Sequence, residues 1–297
     1  MKTILPGATV GLLGGGENSR MFALAAFRMG YRVRIYSPDP DTVGWLANVT
    51  VQAPYDDLDR VREFACTVDV VTVAAGDVPA ISLQAAAGSS LVRPSPKVFE
   101  AVENGIGSKR NDATEAIVDF SVIAARGPDG AFVYYAPIAI DRVDGVLDIA
   151  RLPAPINSRV AKRAAGLTRD ILEDLDLTGV ACVEFILTEQ QELLAHEVTP
   201  HPHRSGLLTI ESCVTNQFEQ QLRAVCGLPL GSTETIRPGA MAVLVSGDEP
   251  FDWAAACAFP EVKLHIYGVG GHLTATAASA GLAKQIVRTA RATLTSR

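Results

Sequence analysis

The chain has 297 residues, 48% of them hydrophobic and 20% charged, with a formal net charge of -7 and pI ≈ 5.3. That length can bury a sizeable core in a few small domains, and the composition excludes a disordered chain. The densest basic runs are the dipeptides Lys109-Arg110 and Lys162-Arg163, so neither nucleic acid nor an anionic membrane is expected as a partner.

Cys66, Cys182, Cys213, Cys226 and Cys257 are scattered, lack metal-ligand spacing and read as reduced thiols. The N-terminus has no apolar signal-peptide core, and no run is long enough to span a bilayer. A cytoplasmic location is expected.

Residues 8–13 are an apolar run ending at Gly14-Gly15-Gly16, and residues 20–29 have helical spacing. Residues 31–36 alternate and stop at Ser37-Pro38-Asp39; residues 56–66 read as a helix, 68–74 as a buried β-branched strand and 89–92 as a short strand. This rhythm predicts a parallel sheet with helices on both faces. The turn signal Asn104-Gly105-Ile106-Gly107-Ser108 marks a boundary. Beyond it, strands at 120–125 and 132–136 flank the hairpin turn Gly127-Pro128-Asp129-Gly130. A third strand is expected at 146–152. Asn157-Ser158 caps a helix that repeats Val160, Ala164, Leu167, Ile171 and Leu175. Residues 180–187 and 192–198 read as an antiparallel pair, and 217–225 as a helix stopped by Gly227. The tail is expected to hold strands at 241–245 and 263–267, a glycine-rich turn and a closing helix over 279–295.

The glycine turn offers backbone N–H groups and a helix N-terminus to an anion. A dinucleotide fingerprint would need glycine at position 19, where Ser19 stands, although Asp39 ends the second strand where a ribose-binding acid belongs.

Two stretches carry a wider likeness: ATVGLLGGGENSRMFALAAFRMGY (8–31) and TPHPHRSGLLTIESCVTNQFEQQLRAVCGLPL (199–230). Together they resemble the 5-(carboxyamino)imidazole ribonucleotide synthase family, ATP-grasp enzymes of purine biosynthesis. The likeness extends over 6–275 and takes in VRPSPKV (92–98) and ARGPDG (125–130). It implies an α/β chain with a Rossmann-like pre-ATP-grasp domain (1–107), a reduced ATP-grasp core (108–235) and a C-terminal β-rich segment with a closing helix (236–297). It also implies a homodimer, with the QFEQQLRAVCGL run near its surface, and points away from a nicotinamide cofactor.

The family places a complete ATP-gripping subdomain between these stretches, whereas here residues 108–121 (SKRNDATEAIVDFS) close the gap. The family's lysine- and arginine-rich run before a Gly-His pair is also missing, since Tyr267-Gly268 leads straight to Val269-Gly270-Gly271-His272. Phosphoryl transfer depends on positioning and charge neutralisation, so ATP is not expected on this reading.

The two Mg2+-holding glutamates of the family map to Glu184 and Glu197. Around them a pattern resembling NEIAPRPHNSG becomes HEVTPHPHRSG, which introduces His196, His201 and Arg204 and keeps His203. Imidazole with carboxylate suits Zn2+ or Fe2+ better than Mg2+. Glu184, Glu197, His201 and His203 are therefore both the candidate catalytic residues and the candidate ligands of a divalent metal (Zn, Fe or Mg). His196, next to Glu197 on a strand, should point to the opposite face and lie outside the set. Histidines that only hydrogen-bond in a polar pocket, and metal-free acid–base catalysis by His201 or His203, stay open alternatives. Gly15, Gly16, Glu17, Asn18, Arg20, Arg204 and Ser205 are the candidate ligand-binding residues, with Glu17 a carboxylate that would repel a phosphate. The expectation is an ATP-independent lyase, hydrolase or metalloenzyme acting on a small metabolite, placed in specialised metabolism. The alternatives are a non-catalytic ligand-binding pseudoenzyme and the family's ATP-dependent carboxylation of aminoimidazole ribonucleotide.

Overall fold

Four strands form a parallel sheet in the order β3-β2-β1-β4, namely β1 (Thr9–Leu13), β2 (Arg32–Ser37), β3 (Val49–Gln52) and β4 (Val70–Val73). The computed structural model describes residues 3–39, 49–105, 116–244, 252–267 and 270–294. Helices α1 (Gly16–Arg28), α2 (Leu58–Ala65), α3 (Ala80–Ala87) and α4 (Pro96–Glu103) accompany this sheet. β4 reads VVTV and is buried throughout, as a parallel strand covered on both faces must be. Asp57 caps α2 by accepting from the Arg60 N–H.

The second sheet has nine strands in the order β10-β9-β5-β7-β8-β11-β13-β12, with β6 paired to β5. They are β5 (Ala116–Arg126), β6 (Phe132–Tyr134), β7 (Ile138–Val143), β8 (Val146–Leu152), β9 (Gly179–Thr188), β10 (Leu193–Thr199), β11 (Gly239–Leu244), β12 (Val262–Tyr267) and β13 (Gly270–Thr276). Helix α5 (Ser158–Asp174) starts at the Asn157 cap, and α6 (Thr209–Ser212) follows the loop after β10. Helix α7 (Gln217–Cys226) runs from the Asn216 cap to Gly227, which adopts the left-handed conformation at φ 70. Helices α8 (Trp253–Cys257) and α9 (Ala280–Leu294) pack on the C-terminal strands. Among the described residues, no helix is long and apolar enough to cross a membrane.

Helix α7 joins the two sheets through buried polar groups as well as the apolar side chains Phe218, Leu222 and Val225. Gln221 is fully buried; its Nε2 donates to Thr72 Oγ1 on β4 at 2.7 Å and its Oε1 accepts from the Val180 N–H on β9 at 2.5 Å. Gln217, also fully buried, clamps the His203 backbone, accepting from its N–H at 3.0 Å and donating to its carbonyl at 2.7 Å. Because α7 is consumed inside the chain, the QFEQQLRAVCGL run offers little surface to a second copy.

Several expectations shift in register or type. The segment at 89–92 makes only a single bridge, Val71 to Val92. The expected glycine-rich turn is partly strand β13, where Gly271 lets β12 approach: a Cβ there would sit 2.2 Å from the His265 carbonyl oxygen. Residues 106–115, 268–269 and 295–297 lie outside the described residues. The expected boundary at 107/108, most of the 108–121 closure and the end of the 279–295 helix therefore fall there in whole or part.

Replacing Gln221 by leucine strands two buried partners, Thr72 Oγ1 and the Val180 N–H. It should cost about 2–3 kcal/mol, read as a lowered midpoint in urea denaturation.

Candidate functional site

A cavity of about 570 Å³ opens where the carboxyl ends of β1 and β4 meet β10 and the loop behind it. The chain reverses its winding direction between β1 and β4, which is where open α/β sheets bind ligands. The walls come from Gly15–Asn18, Ala74–Gly76, the β10 residues Glu197 and Thr199, the loop residues His201, His203 and Arg204, and Tyr267. Gly14, at φ 114, is required here: a Cβ would fall 2.7 Å from the Ala75 Cβ and close the approach of the two loops. Of the residues expected at the site, Arg20, Ser205, Glu184 and His196 do not line the cavity.

Beside the cavity the large sheet carries a charged floor. Glu184 and Glu197 are paired across β9 and β10, and Asp119 and Ser121 lie on the same face of β5. Arg142 on β7 donates to Asp119 Oδ2 at 2.9 Å and to Glu184 Oε2 in a short ion pair. Burial pushes the Glu184 carboxyl up to about 7; Arg142 offsets part of this, while Glu197 and Asp119 add to it. Burial also opposes ionisation of Asp119, but His196 and Arg142 outweigh it and hold its pKa below the usual value.

His196 belongs to this floor, contrary to the strand-alternation rule. Ala195 faces Phe185 and Glu197 faces Glu184, so His196 is the extra residue of a β-bulge. The bulge puts neighbours on one face, and His196 Nε2 comes within 3.8 Å of Glu184 Oε2 and 3.9 Å of Asp119 Oδ1. Its Nε2 is buried with no hydrogen-bond partner.

The two loop histidines have fixed tautomers. His201 is buried, and its Nδ1 meets the Pro202 carbonyl at 2.9 Å, so Nδ1 carries the proton and Nε2 keeps its lone pair. Burial lowers its pKa and leaves it neutral. His203 Nδ1 accepts from the Ser205 N–H at 3.3 Å and meets Ser205 Oγ at 2.9 Å, which puts the proton on Nε2, 3.7 Å from Glu184 Oε1. Burial, helped by His201, Arg142 and Arg204, brings its pKa down to about 3. Ser121 Oγ closes the line on Ser205 Oγ at 2.9 Å.

The expected metal set is not brought together as a whole. Among the described residues, the clusters with ligand atoms within 4.8 Å of one another are Cys182–Glu184–His203 and Asp119–Glu184–His196. Neither contains Glu197 or His201. Burial holds the Cys182 thiol far above its usual pKa, so it is an inert thiol. Asp119, Arg142 and Tyr267 were not singled out from sequence. The period-two placement of Asp119 and Ser121 on β5 was the available signal for the first, while Arg142 and Tyr267 are brought in from other strands.

The native state holds a proton on Glu184 up to about pH 7, above its ordinary value of 4.5. Native protein then binds more protons than unfolded protein between these values, so stability falls as pH rises across that window. His203 acts oppositely, with stability lost as pH falls from 6.5 toward about 3. Glu184→Gln removes only the first effect. The melting temperature of the variant relative to wild type should rise by several degrees between pH 5 and pH 8; a difference that does not change with pH contradicts the assignment.

The Ribonucleotide synthetase preATP-grasp domain model matches residues 7–103, and the ATP-grasp domain model matches residues 84–218. The N5-carboxyaminoimidazole ribonucleotide synthase of Bacillus subtilis (strain 168) is 28% identical over 335 residues, covering 89% of this chain and 88% of that protein. That alignment is longer than the 297 residues here, so it includes positions filled only in the relative. The N5-carboxyaminoimidazole ribonucleotide synthetase of Thermotoga maritima superposes with a TM-score of 0.85 at 25% identity, covering 96% of this chain and 98% of that one. The Aspergillus clavatus synthase, solved with ADP and 5-aminoimidazole ribonucleotide, gives a TM-score of 0.87 at 21% identity over 97% and 98% of the two chains. These findings overturn the expectation of an ATP-independent lyase, hydrolase or metalloenzyme and of a chain without ATP. The ATP-grasp match runs through 108–121, the stretch read as a lost clamp, and the relatives are N5-carboxyaminoimidazole ribonucleotide synthases, the Aspergillus clavatus one solved with ADP. The chain is an ATP-grasp protein with a ribonucleotide synthetase pre-ATP-grasp domain, similar over nearly its whole length to the N5-carboxyaminoimidazole ribonucleotide synthases.

Proposed function

We propose that this chain is an ATP-dependent carboxylating ligase acting on an aminoimidazole-type amine. The reaction would consume the amine, bicarbonate and ATP and yield the N-carboxylated amine, ADP and phosphate. The observation that carries this reading is the pairing of Glu184 and Glu197 across β9 and β10 beside a cavity at the β1/β4 switch point. The names of the relatives supply the reaction class.

The donor set fits the cation that accompanies ATP. Asp119, Glu184 and Glu197 are hard oxygen donors, and the Glu184 carboxyl is raised first by burial and then by Glu197 and Asp119, against the lowering by Arg142. Glu184 and Glu197 would hold a divalent cation, which would neutralise phosphate charge during transfer. Arg142 keeps the acids together in the meantime. His203, with Nε2–H toward Glu184, is a positioning residue for that carboxylate. His201 is neutral and has its Nε2 lone pair unspent, so it is suited to take the proton that the amine loses as its N–C bond forms.

The test is ADP release with ATP, Mg2+, bicarbonate and 5-aminoimidazole, supplied both as ribonucleotide and as ribonucleoside. Release should require both the amine and bicarbonate. Glu197→Gln should lower it on the order of a hundredfold or more without unfolding the protein, and His201→Ala by roughly a hundredfold. No amine-dependent release with either form would refute the reading.

A further inference from the structure

The α1 end of the cavity already contains an anion, and it belongs to the protein. Glu17 lies in the first turn of α1, behind the Gly15-Gly16 turn, where free N–H groups and the helix dipole favour negative charge. Its carboxylate accepts from Arg204 Nε in a short ion pair and from Nη2 at 3.2 Å. The Tyr267 hydroxyl, also on the cavity wall, meets His272 Nδ1 at 2.9 Å. The Glu17 side chain is 11% exposed.

Among the described residues, the lining carries the carboxylates Glu17 and Glu197 and one guanidinium, Arg204, which Glu17 has engaged. His201 and His203 are held neutral. A phosphate group arriving here would meet two carboxylates, one of them already seated at the α1 N–H groups and holding the Arg204 guanidinium.

A second observation concerns what the wall lacks. Asn18 donates Nδ2 to the Pro202 carbonyl at 2.9 Å, which fixes the orientation of its amide. Its Oδ1 is then a buried acceptor without a partner. Such an atom is satisfied by an N–H or O–H, not by a phosphate oxygen.

We propose that the cavity selects an unphosphorylated amine substrate, one that presents hydroxyl or amino donors to Glu17 and Asn18 as a free ribonucleoside does. The internal Glu17–Arg204 pair takes the place that a substrate phosphate would fill. This narrows the substrate of the carboxylating ligase and rests on that reading.

Calorimetric titration of the full chain with 5-aminoimidazole ribonucleoside and with its 5′-phosphate, at fixed ionic strength, tests the proposal. Wild type should bind the ribonucleoside at least tenfold more tightly. Glu17→Gln keeps the shape, removes the charge and releases Arg204; it should shift the ratio toward the phosphate by tenfold or more, and Glu17→Ala should do the same. Equal or tighter binding of the phosphate by wild type, a ratio unmoved by either variant, or no binding of either compound would overturn the proposal. ADP release measured with the same two compounds judges the ligase reading separately: release with a preference for the phosphate keeps the ligase and removes the selectivity.

Discussion

Arg142 stands between Asp119 and Glu184, and the floor of the large sheet depends on it. Three carboxylates and a histidine crowd one sheet face, on strands whose other residues are largely apolar. Paired buried charges seldom add net stability against apolar packing, while an unpaired one costs several kcal/mol, roughly 3–5. Arg142 limits that cost without cancelling it, as the Glu184 carboxyl at about 7 records. Residual negative charge, held in place by strand pairing, is the condition a site needs to take up a cation and stabilise phosphoryl groups. Two irregularities build it. A bulge in β10 turns His196 inward, and a register shift between Asp141 and Arg142 accompanies the turn of Arg142 toward β5.

This floor becomes useful because a second body faces it. Gln217 and Gln221, buried on α7, connect β4 and β9 and hold the His203 backbone by directional bonds. Directional bonds fix position more sharply than apolar contact does, and the loop from His201 to Arg204 must meet the glycine turn of α1 within hydrogen-bonding distance. The Asn18–Pro202 and Glu17–Arg204 contacts are the outcome. Sequence pattern thus reaches the cavity by way of a helix that touches no ligand.

The strands and capped helices were legible where local chemistry agrees with tertiary packing. The buried VVTV strand, the Asn157 cap and the left-handed Gly227 all follow from residue type. Helix α3 was not legible: AISLQAAA has almost no amphipathic periodicity, because it packs on several sides. Strand β13 was masked by Gly270-Gly271, which read as a turn but serve close strand approach. At the site, Glu184 and Glu197 were visible through likeness to a family, and the proximity of His201 and His203 through spacing. His196 was misplaced because a bulge cancels alternation, and no spacing rule could have brought Arg142 to Glu184 across 42 residues. The expectation of a chain without ATP rests on reading 108–121 as a closure, and the ATP-grasp match through that stretch reverses it.

The central claim is that Glu184 and Glu197 form the seat of a metal–nucleotide complex. Anomalous diffraction from crystals grown with Mn2+ and ADP tests it most directly. The account predicts a manganese peak bonded to both carboxylates, with nucleotide phosphates on its open side. A crystal that binds ADP away from these residues, or one with manganese absent from them while they remain ordered, would contradict it.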